Sequence, residues 1–275
     1  MPAADDLETG ASATADLALL TEAARDAGRI ALRYTGRAAR SWDKPEGAGP
    51  VTEADLAVNA MLEERLRGAR PGYGWLSEET EDNPDRLRRD RVFIIDPIDG
   101  TRSFLDGSKS WAHSLAVAVA GQVVAAVIYL PARDRLYSAA AGCGAFLNGV
   151  PIRAAQTGGL AGGLAGADIL AARPNLEPQH WRDGQPPRFA RSYRPSLAYR
   201  MALVAEGRFD GMLTLRPSWE WDIAAGDLIL REAGARCTDR AGAALVFNNP
   251  LPKLDGVVAG PAAIHAALAA ALAPR

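Results

Sequence analysis

The order of periodicities along the chain predicts an α+β half followed by an α/β half, packed in layers. Three observations predict it. Apolar residues recur at helical spacing near the start: Leu17, Leu20, Ala24, Ala27, Ile30 and Ala31. Short β-branched runs separated by turn signals fill the middle of the chain, and from Pro195 onward helical and extended patterns alternate to the end. With 275 residues and 48% hydrophobic content, the chain is long and apolar enough for a sizeable core.

Residues 1–13 are small, polar and acidic, with neither a positive start nor an apolar block, and read as a tail rather than a signal peptide. Thr14 to about Tyr34 forms the first helix, and a loop follows through Trp42, Lys44 and the Gly47-Ala48-Gly49-Pro50 punctuation. Val51-Thr52-Glu53-Ala54-Asp55 opens a second helix reaching about Leu66, with Thr52 and Asp55 at capping-box spacing. Taken alone, Asp55 is adequately explained as a cap that favours the helix dipole. Pro71-Gly72 ends that unit, and Tyr73–Leu76 leads into Ser77-Glu78-Glu79, an acidic pair that by itself is a solvated surface feature. Asp82–Asp90 is charged and reads as an exposed loop, and Arg91–Ile95 as a buried strand.

Ser114–Ala120, Val123–Leu130 and Arg135–Ala140 are expected as antiparallel strands, and Asn148-Gly149 marks a hairpin between Ala145–Leu147 and Val150–Ile152. The repeated Gly-Gly-Leu-Ala at 158–165 reads as a loop near a boundary between halves 14–155 and 156–275, which together make one compact unit. Pro195–Glu206 is a helix, Phe209–Leu215 a strand, Asp222–Ala233 a helix stopped by Gly234, Asp255–Gly260 a strand and Pro261–Leu272 a closing helix.

A formal charge of −2 and a pI near 6.0 give no pull toward nucleic-acid polymers or anionic membranes. The longest apolar region, Leu115–Leu130, is broken by Gly121-Gln122 and is two strands rather than a membrane span. Cys143 and Cys237 stand far apart, which argues against a disulfide framework or zinc site and fits a cytoplasmic protein. P-loop, nucleophile-elbow and dinucleotide-binding signatures are absent from the sequence. His113, His180 and His265 match no metal spacing.

Chemistry concentrates in Asp96-Pro97-Ile98-Asp99-Gly100-Thr101-Arg102-Ser103-Phe104. A buried strand that ends by aiming two carboxylates at one point is poorly explained by stability, because unpaired buried charge is costly. A cation resolves this, and Mg²⁺ suits a carboxylate or two plus water and substrate phosphate. The amides of Gly100 and Thr101 are free to face an anion. Trp221-Asp222-Ile223-Ala224-Ala225-Gly226 is the second candidate, with Asp222 where a helix begins. Gly226 inside that helix suggests close approach of another backbone, and Ile223, Leu230 and Ala233 would cover the core face.

The motifs V-T-E-A-D, S-E-E, D-P-I-D-G-T and W-D-I-A-A-G, in this order and at these separations, resemble the inositol monophosphatase superfamily of metal-dependent, lithium-sensitive phosphatases. The resemblance runs from about Leu17 to the end and implies an αβαβα sandwich. It implies that Glu78, Asp96 and the Ile98 carbonyl hold one Mg²⁺, that Asp96, Asp99 and Asp222 hold a second with Asp96 bridging, and that Glu79 supports a possible third. Thr101 and Asp55 would position and deprotonate the attacking water, and the Gly100 and Thr101 amides would hold phosphate. The substrate would be a small phosphomonoester. Pro50–Asp55, Ser77-Glu78-Glu79 and Glu220-Trp221-Asp222 resemble the 3′(2′),5′-bisphosphate nucleotidase branch, which removes the 3′-phosphate of 3′-phosphoadenosine 5′-phosphate. Inositol-1-monophosphatase and histidinol-phosphate phosphatase are the alternatives, as is a non-catalytic regulatory protein keeping the fold. Arg194, Arg200 and Arg216 are candidates to meet a second phosphate. Relatives of this kind are commonly homodimers.

Overall fold

The computed structural model describes residues 4–35, 39–44, 49–155 and 163–274, with side chains from residue 12 onward. Helix α1 (Ala4–Ala31) is followed by a small hairpin, β1 (Ser41–Asp43) and β2 (Pro50–Thr52), and then by α2 (Glu53–Ala69). The expected tail is therefore helical from Ala4, and Ala13 is already buried in the core. The alanines of this segment favour the helix, and propensity outweighs its polar character.

Strands β3 (Gly74–Ser77), β4 (Arg91–Asp99), β5 (Ala112–Val119), β6 (Gln122–Leu130), β7 (Arg135–Ala140), β8 (Ala145–Leu147) and β9 (Val150–Ile152) form one seven-stranded sheet in that order. The five-residue helix α3 (Thr101–Leu105) lies between β4 and β5. Only β3 and β4 run parallel; the other pairs are antiparallel hairpins and meanders. At the expected hairpin turn Asn148 and Gly149 both take positive φ, 49° and 79°, as a tight two-residue turn requires.

A second sheet has the order β11-β10-β12-β16-β14, built from β10 (Asp168–Ala171), β11 (Ala190–Ser192), β12 (Gly211–Thr214), β14 (Arg236–Thr238) and β16 (Val257–Gly260). Helices α4 (Leu197–Ala205), α5 (Glu220–Glu232) and α6 (Ala262–Ala271) punctuate it, and β13 (Ser218–Trp219) pairs with β15 (Lys253–Leu254) beside the start of α5.

Side-chain alternation sorts these elements into five layers. Phe93 and Ile95 of β4 face α1 and α2, whereas Val92 and Ile94 face a core shared with α4 and α5. Leu170 and Met212 of the second sheet join that same central core, and Ile169 and Leu213 turn outward to α6. The order is helix, sheet, helix, sheet, helix, as the layered fold class requires. Helices α4 and α5 are buried on nearly every side, consistent with an apolar layer between two sheets.

Two further expectations change in part. Asp82–Asp90 is exposed as expected except at Arg86, in the 3-10 turn Pro84–Arg88, which is buried because it pairs with Asp82 and donates to Asn248 Oδ1 (2.6 Å) and the Asn249 carbonyl (2.9 Å). The neighbour of Gly226 is a side chain, not a backbone: a Cβ there would lie 2.6 Å from Met201 Cβ and 2.5 Å from its sulfur, so α4 packs tightly on α5. Ile223, Leu230 and Ala233 are buried as expected. Most of the Gly-Gly-Leu-Ala repeat, with the expected boundary at residue 156, lies outside the described residues. Among the described residues no helix is long and apolar enough to cross a membrane.

Candidate active site

Strand β4 carries its apolar run directly into Asp96, and there its pairing with β5 slips. Asp96 is opposite Ser114 and Asp99 opposite Ala112, so Pro97 and Ile98 together face the single residue His113. Two residues against one bend a strand, and Pro97 has no amide to keep the ladder. The bend is closed locally: the Ile98 amide donates to Asp96 Oδ1 at 3.0 Å, and Thr101 Oγ1 reaches the Ile98 carbonyl at 3.2 Å. Gly100 follows with φ 95°, and a Cβ there would sit 3.3 Å from the Ser110 carbonyl.

Asp222, in the first turn of α5, is brought to the same point. Carboxylate oxygens of Asp96, Asp99 and Asp222 lie within 4.8 Å of one another. Asp99 Oδ2 is anchored on the first turn of α4 by the Ser196 hydroxyl at 2.5 Å and the Ala198 amide at 2.6 Å. Ser114 Oγ donates to the Trp221 carbonyl at 2.9 Å and so ties the start of α5 to β5.

Electrostatics show what this cluster lacks. Burial, then Glu78, Asp99 and Asp222, push the Asp96 carboxyl well above its ordinary value. Burial, then Asp99 and Glu78, do the same to Asp222, against the pull of Arg216 and Arg200. Asp99 is pushed up to about 6 by burial, although its bonds to Ser196 and Ala198 act the other way. Three carboxyls so placed cannot all be ionised without added positive charge. All-oxygen donors converging in this way fit a hard divalent cation such as Mg²⁺.

Glu78 and Glu79 follow β3 in a buttressed turn. Ser77 Oγ donates to Asn59 Oδ1 (2.7 Å), while Asn59 Nδ2 and Trp75 Nε1 both donate to Thr80 Oγ1 (2.9 and 3.1 Å). Lys44 Nζ bonds to Glu78 at 2.8 Å and Glu79 at 2.6 Å. Glu79 is nevertheless raised to about 7 by burial and by Glu78. Glu78 lines the cavity of the three aspartates, whereas Glu79 is turned to Lys44.

Asp55 does what its spacing suggests and more. Thr52 donates to Asp55 Oδ2 from its amide (2.9 Å) and its hydroxyl (2.5 Å) and in return caps the amides of Ala54 and Asp55, so the capping box of α2 is complete. Thr101 Oγ1 lies 3.4 Å from the other oxygen, Oδ1. Burial raises the Asp55 carboxyl to about 6 against the bonds from Thr52.

The acids open into a cavity of about 670 Å³. Arg200 and Arg216 line its wall. Arg200 is buried over the ring of Tyr193 (5.5 Å), its Nε donates to the Ser196 carbonyl at 3.4 Å, and its Nη1 has no partner among the described residues. Arg194, grouped with these two from the sequence, lies instead over Phe209 (5.4 Å) and donates to the Tyr193 carbonyl. Ser196, Ser114 and Lys44 have no place in the sequence reading of the site. Ser196 alone carries a local signal, as an N-cap ahead of an apolar helix.

Residues 13–274 match the sequence model of the inositol monophosphatase family. An inositol-1-monophosphatase of Mesorhizobium japonicum is 35% identical over 267 residues, covering 92% of this chain and 94% of the relative. A histidinol-phosphatase of Chlorobaculum parvum is 34% identical over 232 residues, covering 83% and 87%. The crystal structure of the extragenic suppressor protein suhB from Bartonella henselae superposes with a TM-score of 0.78 at 32% identity, over 93% of this chain and 97% of that one.

Proposed function

Since the chain belongs to the inositol monophosphatase family, whose members are phosphoric monoester hydrolases, we propose that it hydrolyses a small phosphomonoester bearing a second anionic group. The leading candidate is a 3′(2′),5′-bisphosphate nucleotide such as 3′-phosphoadenosine 5′-phosphate. The observation that carries the choice is Arg200: a buried guanidinium with an unpartnered nitrogen, lining the cavity of the acids. Arg216 lines the same cavity. A second anion would give these cations a partner, whereas the ammonium of histidinol phosphate would be repelled.

Asp96, Asp99, Asp222, Glu78 and the Ile98 carbonyl are the residues to hold two Mg²⁺, with Asp96 shared. Bound there, the ions supply a lowered pKa for water and neutralise charge on the departing oxygen. The remaining work belongs to the chain. Thr101 would take a proton from the attacking water at Oγ1 and pass its own to Asp55 Oδ1, which lies 3.4 Å away. The amides of Gly100 and Thr101, at the start of α3, have no intrahelical acceptor and would be available to the phosphate. A third ion at Glu79 requires Lys44 to leave.

A second reading, inositol 1-phosphate as substrate, is favoured by the identity to the Mesorhizobium enzyme. Steady-state kinetics with 3′-phosphoadenosine 5′-phosphate, inositol 1-phosphate and histidinol phosphate decide between them. The bisphosphate is expected to have the highest kcat/KM. Preference for inositol 1-phosphate overturns the second-anion reading. Release of phosphate from none of them by the folded protein returns the chain to a regulatory role.

A further inference from the structure

One buried side chain beside the bend of β4 has no part in the chemistry above. His113 is the single residue of β5 that faces Pro97 and Ile98 across the slipped register. The backbone cannot restore the ladder there, because Pro97 has no amide. His113 Nδ1 meets the Pro97 carbonyl, and so replaces the missing main-chain contact with one from a side chain. The ring is buried, edge-on to Trp111 at 5.6 Å and tilted against Tyr129 at 6.3 Å. Its Nε2 has no partner among the described residues.

That orphan nitrogen is informative. If the position served only to fill space, leucine or phenylalanine would fill it without burying an unpaired polar atom. Burial holds the imidazole at about 4, so it is neutral at working pH with one hydrogen, which the Pro97 carbonyl requires at Nδ1. The adjacent residue, Ser114, holds the Trp221 carbonyl from the other face of β5. Two consecutive residues of β5 thus touch the backbone beside both groups of acids.

We propose that His113 is a positioning residue for the cation centre: its Nδ1–H fixes the Pro97 peptide so that the Asp96 carboxylate, the Ile98 carbonyl and the Asp99 carboxylate converge. This rests on the reading that these groups hold the cation. Bonds behind a metal ligand commonly govern affinity, and their loss weakens binding by about 10–100-fold.

The test is calorimetric titration of the metal-free protein with Mg²⁺, without substrate, in wild type, His113→Asn and His113→Leu. Asn and Leu branch alike, but only Asn can donate from the position of Nδ1. His113→Asn is expected to bind Mg²⁺ within about threefold of wild type and His113→Leu about 10–100-fold more weakly. A merely structural histidine would lower the thermal midpoint of both variants and leave the affinity of the folded protein unchanged. Should His113→Leu fail to fold, His113→Phe fills the ring volume without a donor and carries the same expectation. Wild-type affinity in the donor-free variant overturns the positioning role alone. Absence of Mg²⁺ binding by wild type overturns the cation centre, and the proposal with it.

Discussion

Thr101 Oγ1 lies 3.4 Å from Asp55 Oδ1, while both bonds from Thr52 fall on the other oxygen, Oδ2. Capping and proton acceptance therefore use different atoms of one carboxylate. In Asp55→Asn the amide oxygen can take the Oδ2 position and keep the Thr52 amide bond, leaving an NH₂ facing Thr101. Stability is expected to change by less than about 0.5 kcal/mol, since Asn at this third helical position can still accept from the Thr52 amide and keep the capping box. The turnover number should fall about 10²–10⁴-fold, as loss of a general base does. Thr101→Ala should fall in the same range, with the double variant little worse than either. Unchanged kcat in Asp55→Asn at saturating Mg²⁺ would leave Asp55 with the cap alone.

The pH dependence follows from the raised Asp55 carboxyl. A carboxyl held at about 6 when folded and near 3.8 when unfolded binds its proton more tightly in the folded state. Its contribution to stability is thus complete below 3.8 and lost as pH rises through about 6. Activity runs the other way, because the base must be ionised, so kcat/KM should fall on the acid side of this range. Thr52→Ala removes a bond that holds the carboxyl down, so the acid limb of the pH–rate profile should move to higher pH, with about 1 kcal/mol of cap stability lost. A limb that stays in place would assign it to another group.

Asp96 feels the charges of Glu78, Asp99 and Asp222 together. Asp96→Asn is expected to abolish both phosphate release and Mg²⁺ binding, whereas Asp222→Asn should mainly raise the Mg²⁺ needed for half-maximal rate. Chelator should abolish wild-type activity and Mg²⁺ restore it. Ca²⁺ should not, because its looser coordination spoils the geometry. Full turnover in excess chelator would end the metal assignment.

Arg200→Met keeps an aliphatic side chain and removes the guanidinium, whose Cζ stands over Tyr193. A charged hydrogen bond is worth about 1.5–3 kcal/mol, so KM for 3′-phosphoadenosine 5′-phosphate should rise roughly 10–100-fold. KM for inositol 1-phosphate should scarcely move. Equal losses on both substrates would mean that Arg200 serves Asp99 rather than a second anion.

Gly226→Ala tests the packing of α4 on α5. Alanine favours a helix by about 0.8–1 kcal/mol over glycine. The new methyl would nonetheless lie 2.6 Å from Met201 Cβ, an atom fixed to its own helix. Overpacking of this kind costs about 1–3 kcal/mol, so the thermal midpoint should drop. A higher midpoint would mean that the helices can separate at little cost.

Local chemistry was legible in the sequence where it repeats within a few residues. The Thr52–Asp55 box, the Asn148-Gly149 turn and the acids of β4 all lie in single short motifs, and the structure has the box, the turn and the acid cluster where these motifs stand. Contacts across the fold were not legible. Nothing near Ser196 announces that its hydroxyl will hold Asp99, and nothing near Lys44 announces two glutamates. Short strands such as β10, β11 and β14 escape pattern reading because three or four residues give too little alternation. Arg86 was read as solvated because charge is usually exposed, whereas here Asp82, the Asn248 side-chain oxygen and the Asn249 carbonyl supply its partners.

The three clustered aspartates do not come from one stretch of chain: Asp96 and Asp99 end a strand of the first sheet, and Asp222 arrives with a helix made after most of the second. A ribosome therefore finishes the seven-stranded sheet long before the third carboxylate exists. Until α5 docks, the emerging chain offers an ion only a partial set of ligands, and a chain cut short ahead of that helix never completes it. On the reading that these acids hold the cation, its loading would wait for α5, and a chain lacking that helix would have no complete centre with which to attack phosphate esters.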